Sequence, residues 1–337
     1  MRSLRYWLGS KRVRLVDRLA QWRAPSEPWD GELRALAAGL FSFPTQGATA
    51  GDLIACDVIC GWLIEAGLEF DVAFAPPFSG GYDWRQVDPR RYSHVVWICG
   101  PFGKSTEAFS RLRRRFTAEG RRWIGVNLSM IEPIEDWNPF DVLLERDSNR
   151  NKRADLAFGA ESMQLPVIGL VQVESFTPLF PDRDRQDDAR AAARRLAYAR
   201  PAAVVEIDTR LDIENASGLR TPAEIETLIG RMDVVVTTRL HGLALALRNG
   251  VPAVAVDPVA GGDKITAQAR AVEWPCAFAV DEASDDVMSD ALSFGLSEEG
   301  RARARASAER GRHSVEVLRK EFVQALAVGA NPSERPT

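Results

Sequence analysis

From about residue 35 onward, short apolar runs alternate with longer stretches whose apolar positions recur every three or four residues. The runs ALAAGLFSF, FDVAFA, SHVVWICG, RRWIGVNL and DVLLE predict strands, because they are short, mostly apolar and bounded by loop residues. Between them, DLIACDVICGWLIEAG and KSTEAFSRLRRRFTAEG predict helices, the first stopped by Gly67. The same grammar restarts after GAESMQLP. PVIGLVQV, PAAVVEID, DVVVTTR, VPAVAVD and CAFAV predict strands, and DRQDDARAAARRLAYAR, TPAEIETLIGRM, LHGLALALRNG and KITAQARAVE predict the helices between them. Thr221 and Glu224 have the spacing of a capping box. One or two further helices run to about residue 328.

Apolar strands alternating with helices imply parallel sheets covered on both faces. The repeated pattern predicts an α/β chain with two Rossmann-like parallel-sheet domains, residues 36–163 and 164–330, joined near residues 159–166. A basic segment, 1–35, precedes them and a short tail, 331–337, follows. A length of 337 residues fits two domains. Ligands in such sheets bind beyond the carboxyl ends of the strands. The expected site is therefore a cleft faced by both domains, with loops from each.

Charge narrows the function classes. Lys and Arg number 43 against 47 Asp and Glu, a net charge of −4 that offers no basic excess for nucleic acid. No apolar run is long enough to span a bilayer, and the first residues carry no secretory signal. Four cysteines in 337 residues speak against a disulfide scaffold, and the Cys56/Cys60 spacing lacks the further ligands of a metal site. Buried thiols in a reducing cytoplasm are expected. Residues 1–23 hold Arg2, Arg5, Lys11, Arg12, Arg14, Arg18 and Arg23 against Asp17, with Leu8, Leu15, Leu19 and Trp22 at helical spacing. Such a helix packs on a domain with its basic face in water, the favoured reading, or rests peripherally on an anionic membrane.

The strand-to-helix turn in TTRLHGLALALRNGVPAVAV concentrates candidate chemistry. It delivers Thr237, Thr238 and Arg239 to a strand's carboxyl end and opens a helix near His241 and Gly242. A helix N-terminus favours an anion. Arg239 adds a planar fork for carboxylate or phosphate. His241 can supply a proton, Gly242 is expected to let a ligand approach the backbone. A histidine at a helix start also serves as a cap or a satisfied core group, and that reading stays open. Further candidates follow other strands: Lys264 beyond the paired glycines of DPVAGGDKI, Gly47 and Asp52 in TQGATAGD, Gly100 in CGPFGK, and Arg146 in ERDSNR, for which a surface ion pair is the competing reading. His313 is expected on a solvated helix face and His94 in a structural position.

These residues carry a resemblance. DVVVTTRLHGLALALRNGVPAVAVD, followed by DKI, resembles the signature of the polysaccharide pyruvyl transferases: a strand into an Arg-x-His-Gly turn, an alanine- and leucine-rich helix, a Gly-x-Pro, a strand and a downstream Lys. The first half is similar in outline, through GATAGD, VVWICGPFG, LLERDS and ADLAF. The resemblance covers roughly residues 36–280 and is specific in the second half. Ala48, Thr49 and Ala50 stand where the family has an Asn, and the triple-Gly turn is reduced to Cys99–Gly103. The resemblance implies a glycosyltransferase-B-like fold and transfer of a pyruvyl group from phosphoenolpyruvate, as co-substrate, to two hydroxyls of a sugar. That sugar belongs to a polysaccharide or its lipid-linked precursor. It implies His241 as general acid, with Arg239, Lys264 and the helix start holding the anions. The acceptor falls to first-half loops, Asp52 is a guess for the base, and no metal or nicotinamide is called for. Two alternatives remain: a nucleotide-sugar glycosyltransferase using Asp257 or Asp263 on the donor ribose, and a non-catalytic sugar-phosphate binder.

Overall fold

The computed structural model describes residues 33–116, 121–161, 163–172, 182–213, 215 and 217–328. Residues 1–32 of the basic segment 1–35, with the membrane contact considered for 1–23, and the tail 331–337 lie outside the described residues, while Arg34 and Ala35 of that segment open the first strand. The chain divides into two compact units, Met1–Met163 and Gln164–Thr337.

The first unit runs β1 (Arg34–Gly39), α1 (Ala50–Glu65), β2 (Glu69–Val72), β3 (His94–Ile98), β4 (Pro101–Phe102), α2 (Glu107–Arg115), β5 (Arg122–Val126), β6 (Ser129–Met130) and β7 (Val142–Leu144). Its main sheet is parallel throughout, in the order β2-β1-β3-β5-β7. Successive residues of β1 serve opposite faces. Ala35 and Ala37 pack with Ala55, Cys56 and Ile59 of α1, whereas Leu36 and Ala38 pack with Trp97, Phe109 and Leu112 on the α2 side. Both faces being buried explains the unbroken apolar runs. Trp97 meets Phe109 edge to face at 5.4 Å, a geometry worth about 0.5–1.5 kcal/mol beyond the area buried. The first strand is shorter than its apolar run. It ends at Gly39, where a Cβ would lie 2.7 Å from the Ile98 carbonyl oxygen. Leu40–Ser42 then turns as a short 3₁₀ segment, with the Gly39 N–H donating to Ser42 Oγ at 3.1 Å.

The second unit runs β8 (Val167–Val171), α3 (Gln186–Ala197), β9 (Ala203–Glu206), α4 (Pro222–Ile229), β10 (Val234–Thr237), α5 (Leu240–Arg248), β11 (Ala253–Asp257), α6 (Lys264–Ala271), β12 (Ala277–Ala279), α7 (Asp285–Gly295) and α8 (Glu298–Val328). Its sheet is parallel, in the order β12-β11-β10-β8-β9. The expected capping box opens α4: the Thr221 N–H donates to Glu224 Oε2 at 2.8 Å and the Glu224 N–H to Thr221 Oγ1 at 3.3 Å. Helix α8 docks through Ala304, Ser307 and Ala308 and then runs on with Val315, Leu318, Phe322 and Leu326 exposed. His313 is exposed on it. His94 opens β3 half-buried, its Nδ1 2.8 Å from Ser93 Oγ, as a structural histidine would be.

The two sheets share one wiring. Numbered by main strands in chain order, each reads 2-1-3-4-5 across the sheet. In this doubly wound arrangement the strand order reverses between the first and third strands, and a crevice opens at their carboxyl ends. The crevice falls between β1 and β3 in the first unit and between β8 and β10 in the second.

Candidate functional site

The β10–α5 turn stands at the second unit's switch point. Thr237 closes β10 fully buried. Its Oγ1 accepts from the Arg239 N–H at 2.9 Å and its hydroxyl donates to the Arg239 carbonyl at 3.2 Å. Thr237 therefore shapes the turn and is not presented to a ligand. Gly242 is also corrected: it is buried, and a Cβ there would collide with Thr237 Oγ1 and lie 3.0 Å from Val171 Cγ1. Its missing side chain seats α5 on the sheet; it does not make room for substrate.

Helix α5 starts from Arg239 in extended backbone with no capping side chain. Its first N–H groups thus keep their partial positive charge unclaimed by a cap. In front of them lies a cavity of about 260 Å³. Thr238, Arg239 and His241 line it from the turn, Lys264 from the start of α6, and Gln186 and Arg190 from α3. Every charged group on that wall is a cation, so the cavity is electrostatically suited to an anion. His241 is exposed, and among the described residues its ring has no hydrogen-bonding partner, so it neither caps the helix nor fills the core.

Arg239 is held more firmly than the sequence foretold. Its Nη1 donates to Thr209 Oγ1 at 2.8 Å and lies 3.9 Å from Asp208 Oδ1. Burial pulls its pKa below the ordinary guanidinium value, Asp208 opposes that pull, and Arg210 adds to it. Asp208 does not cancel Arg239, because Arg210 grips the same carboxylate through Nε at 3.0 Å and Nη2 at 2.8 Å. Asp212 adds a second negative charge near Arg239 and Arg190 pairs with Asp187, so acids outside the wall partly match these cations while the wall itself carries no acid.

The loop carrying Lys264 is pinned by one carboxylate. Asp257 is fully buried. Its Oδ2 accepts from the N–H groups of Asp263 (2.8 Å), Ile265 (3.0 Å) and Thr266 (3.1 Å), and its Oδ1 from Val259 (3.2 Å). This carboxylate neutralises the N-terminus of α6 and offsets the cost of placing Lys264 there. It also removes Asp257 as a ribose ligand. Gly261 and Gly262 are left-handed, with φ of 78° and 79°, so they serve the turn itself.

The first unit's switch point collects the other predicted residues. Gly47 is left-handed, with φ 68° and open space around it. Asp52 Oδ2 accepts from the Thr49 N–H at 2.7 Å and from its hydroxyl at 2.8 Å, so the guessed base is occupied in capping α1. Cys99 and Gly100 after β3 are both left-handed. Burial pushes the Cys99 thiol up to about 11, with Asn127 opposing and Asp52 and Asp155 adding to the rise, so the sulfur is protonated and poorly nucleophilic. Arg146 proves to be an ion-pair hub. Its Nε contacts Asp147 at 2.9 Å, its Nη1 contacts Asp155 at 2.6 Å, and its Nη2 donates to Ser129 Oγ. Two carboxylates already match its charge, so the expected part in binding substrate gives way to a structural one. All four cysteines are buried and unpaired.

Sequence reasoning missed Gln186, Arg190, Asp208, Thr209 and Arg210. The first two open the helix after β8, and the other three follow β9. Strand order would have flagged β8, but that order is not written in any local motif.

The family model described as Polysaccharide pyruvyl transferase matches residues 149–258. The match spans β8 to β11 and the Arg239–His241 turn and stops short of Lys264. No curated protein matches the chain by sequence. Among solved structures, the spinosyn forosaminyltransferase SpnP is 17% identical, with 87% of this chain and 100% of that one covered at a TM-score of 0.32. The calicheamicin glycosyltransferase CalG4 is 11% identical (86% and 98% covered, TM-score 0.31). The UDP-GlcNAc 2-epimerase of Methanocaldococcus jannaschii is 9% identical (84% and 99% covered, TM-score 0.28). At such scores the fold rests on the two parallel sheets themselves.

Proposed function

We propose that this chain, whose residues 149–258 match a transferase family, is a ketal pyruvyl transferase acting on a sugar of a cell-envelope polysaccharide or its lipid-linked precursor. The observation that carries the reading is the cavity at the second switch point, where His241 stands among Arg239, Arg190 and Lys264 before an uncapped helix start. Phosphoenolpyruvate presents a carboxylate and a phosphate on one small enol. Arg239, Lys264 and the N–H groups of α5 hold these anions. His241 donates a proton to the C3 methylene, and C2 becomes electrophilic. One sugar hydroxyl bonds to C2, the C2–O bond to phosphate breaks, and the second hydroxyl closes the ketal. One hydroxyl proton restores His241 and the other leaves with phosphate, so the atoms balance without metal or nicotinamide. The reaction belongs in the cytoplasm, where phosphoenolpyruvate is available. No helix among the described residues is long and apolar enough to cross a membrane.

The test incubates the protein with phosphoenolpyruvate and a panel of lipid-linked and nitrophenyl sugars and follows phosphate. Acceptor-dependent release is expected, and its disappearance in His241→Ala and Arg239→Ala, with the fold intact by circular dichroism. Nucleotide release from a nucleotide sugar would overturn the reading in favour of a glycosyltransferase. Binding of phosphoenolpyruvate without turnover would make the protein a binder.

A further inference from the structure

A second cavity, of about 270 Å³, opens at the carboxyl ends of β8 and β9. Its floor is apolar, made by Leu170 and Ile207, both nearly inaccessible. Its walls alternate acceptors and donors: Asp208 with Arg210 on the inner side, and Glu206 with Arg194, 2.9 Å apart, at the rim. Acids and bases balance here, in contrast to the all-cationic wall of the first cavity. Such a lining suits a neutral ligand rich in hydroxyls. Carboxylates accept two O–H bonds side by side, guanidinium groups donate to ring and hydroxyl oxygens, and an apolar floor takes a C–H face.

The two cavities are joined by one side chain. Arg239 lines the first, and its guanidinium lies 3.9 Å from Asp208, which lines the second. Helix α3 runs past both, with Gln186 and Arg190 facing the first and Arg194 the second, at steps of four along one helix face. Ketal formation sets a strict requirement: both acceptor hydroxyls must reach the carbon that bears the carboxylate held in the first cavity. An acceptor therefore has to sit within one side chain's breadth of Arg239.

We propose that the β8–β9 cavity is the acceptor subsite, and that it takes the diol of a pyranose sugar, with Glu206 and Asp208 accepting from its hydroxyls. The proposal rests on the pyruvyl-transfer reading for its chemistry. It moves the acceptor from the first unit's loops, where the resemblance put it, to the unit that holds the donor. Arg210 keeps the Asp208 carboxyl below its ordinary range even though burial opposes this. Asp208 is therefore a hydrogen-bond acceptor for the diol and not a store for its proton.

Saturation-transfer NMR on the full-length protein, with nitrophenyl hexosides offering different vicinal and 4,6 diols, with and without phosphoenolpyruvate, reads this cavity. Two variants lie away from Arg239, His241 and Lys264: Glu206→Gln, which keeps the shape, and Ser217→Phe, which fills the space. Glycoside binding is expected to weaken about tenfold in Glu206→Gln, the loss that goes with one charge-assisted hydrogen bond, and at least as much in Ser217→Phe, whose ring takes the sugar's space, while the Kd for phosphoenolpyruvate by calorimetry stays at the wild-type value. Glycosides that bind Glu206→Gln as well as wild type, no glycoside binding to wild type, or nucleotides displacing the glycoside would each overturn the subsite. Failure of the wild type to bind phosphoenolpyruvate would overturn pyruvyl transfer instead, and the glycoside signals alone would then decide the cavity.

Discussion

Asp257 and Glu145 are both fully buried carboxylates, and they meet the cost differently. Asp257 is satisfied by backbone N–H groups of its own loop and of α6. Asp257→Asn replaces an acceptor oxygen by an NH₂ facing those donors. Leaving buried donors unsatisfied costs about 1–3 kcal/mol, so urea unfolding of the variant should show a loss of that size. Glu145 is satisfied by side chains. Burial pushes its carboxyl up, but Arg150, with the Glu145 backbone, Asn151 and Ser148, outweighs burial and holds it down at about 2. A carboxyl depressed from an ordinary 4.5 to about 2 contributes stability that is fully present above pH 4.5 and is lost as pH falls through 2. The stability deficit of Glu145→Gln relative to wild type should therefore be constant near neutral pH, shrink below pH 4.5 and vanish near pH 2. A deficit that does not change with pH would refute the ion-pair account.

At the scale of elements, the helix seats and helix starts decide what the site can do. Gly242 and Gly47 both sit at a loop–helix junction, yet they answer to different constraints. Gly242→Ala drives a Cβ into Thr237 Oγ1, and such overpacking costs about 1–3 kcal/mol; it should also tilt α5 and weaken phosphoenolpyruvate binding. Gly47→Ala meets no neighbour but must hold φ near 68°, which costs about 1–2 kcal/mol and leaves phosphoenolpyruvate affinity at the wild-type value. Chemical denaturation paired with calorimetric titration separates the two. The central strands were legible because they bury both faces and so become unbroken apolar runs, and the Thr221–Glu224 box because its partners are three residues apart. The site was legible where its parts share one turn, as Thr238, Arg239 and His241 do, or follow a neighbouring strand, as Lys264 does. Thr209 lies 30 residues from Arg239 along the chain, and Asp155 pairs with Arg146 across a turn that no spacing rule marks. Arg146 therefore read as a binding residue, and Asp52 as a base, until their partners were in place.

At the scale of the whole molecule, the repeated 2-1-3-4-5 order gives each unit its own switch point and its own core. The cluster packed on the second sheet is drawn from Ile168 to Ala304, and the two clusters on the first sheet from Ala35 to Leu143. Long-range pairing on this pattern was legible only as class: alternation said parallel and doubly wound, but which strands stand at the reversal depends on sheet order, and that order decides which loops face a ligand. Because each core closes within its unit, the units should unfold as separate cooperative steps. Asp257→Asn should lower the step belonging to the second unit and Glu145→Gln the step belonging to the first, each leaving the other in place. Phosphoenolpyruvate supplies the decisive arm. A ligand at one hundred times its Kd adds about 2.7 kcal/mol to whatever binds it, so scanning calorimetry should show only the Asp257-sensitive step rising. A rise in the Glu145-sensitive step alone would place the donor in the first unit and remove the β10–α5 turn from the chemistry.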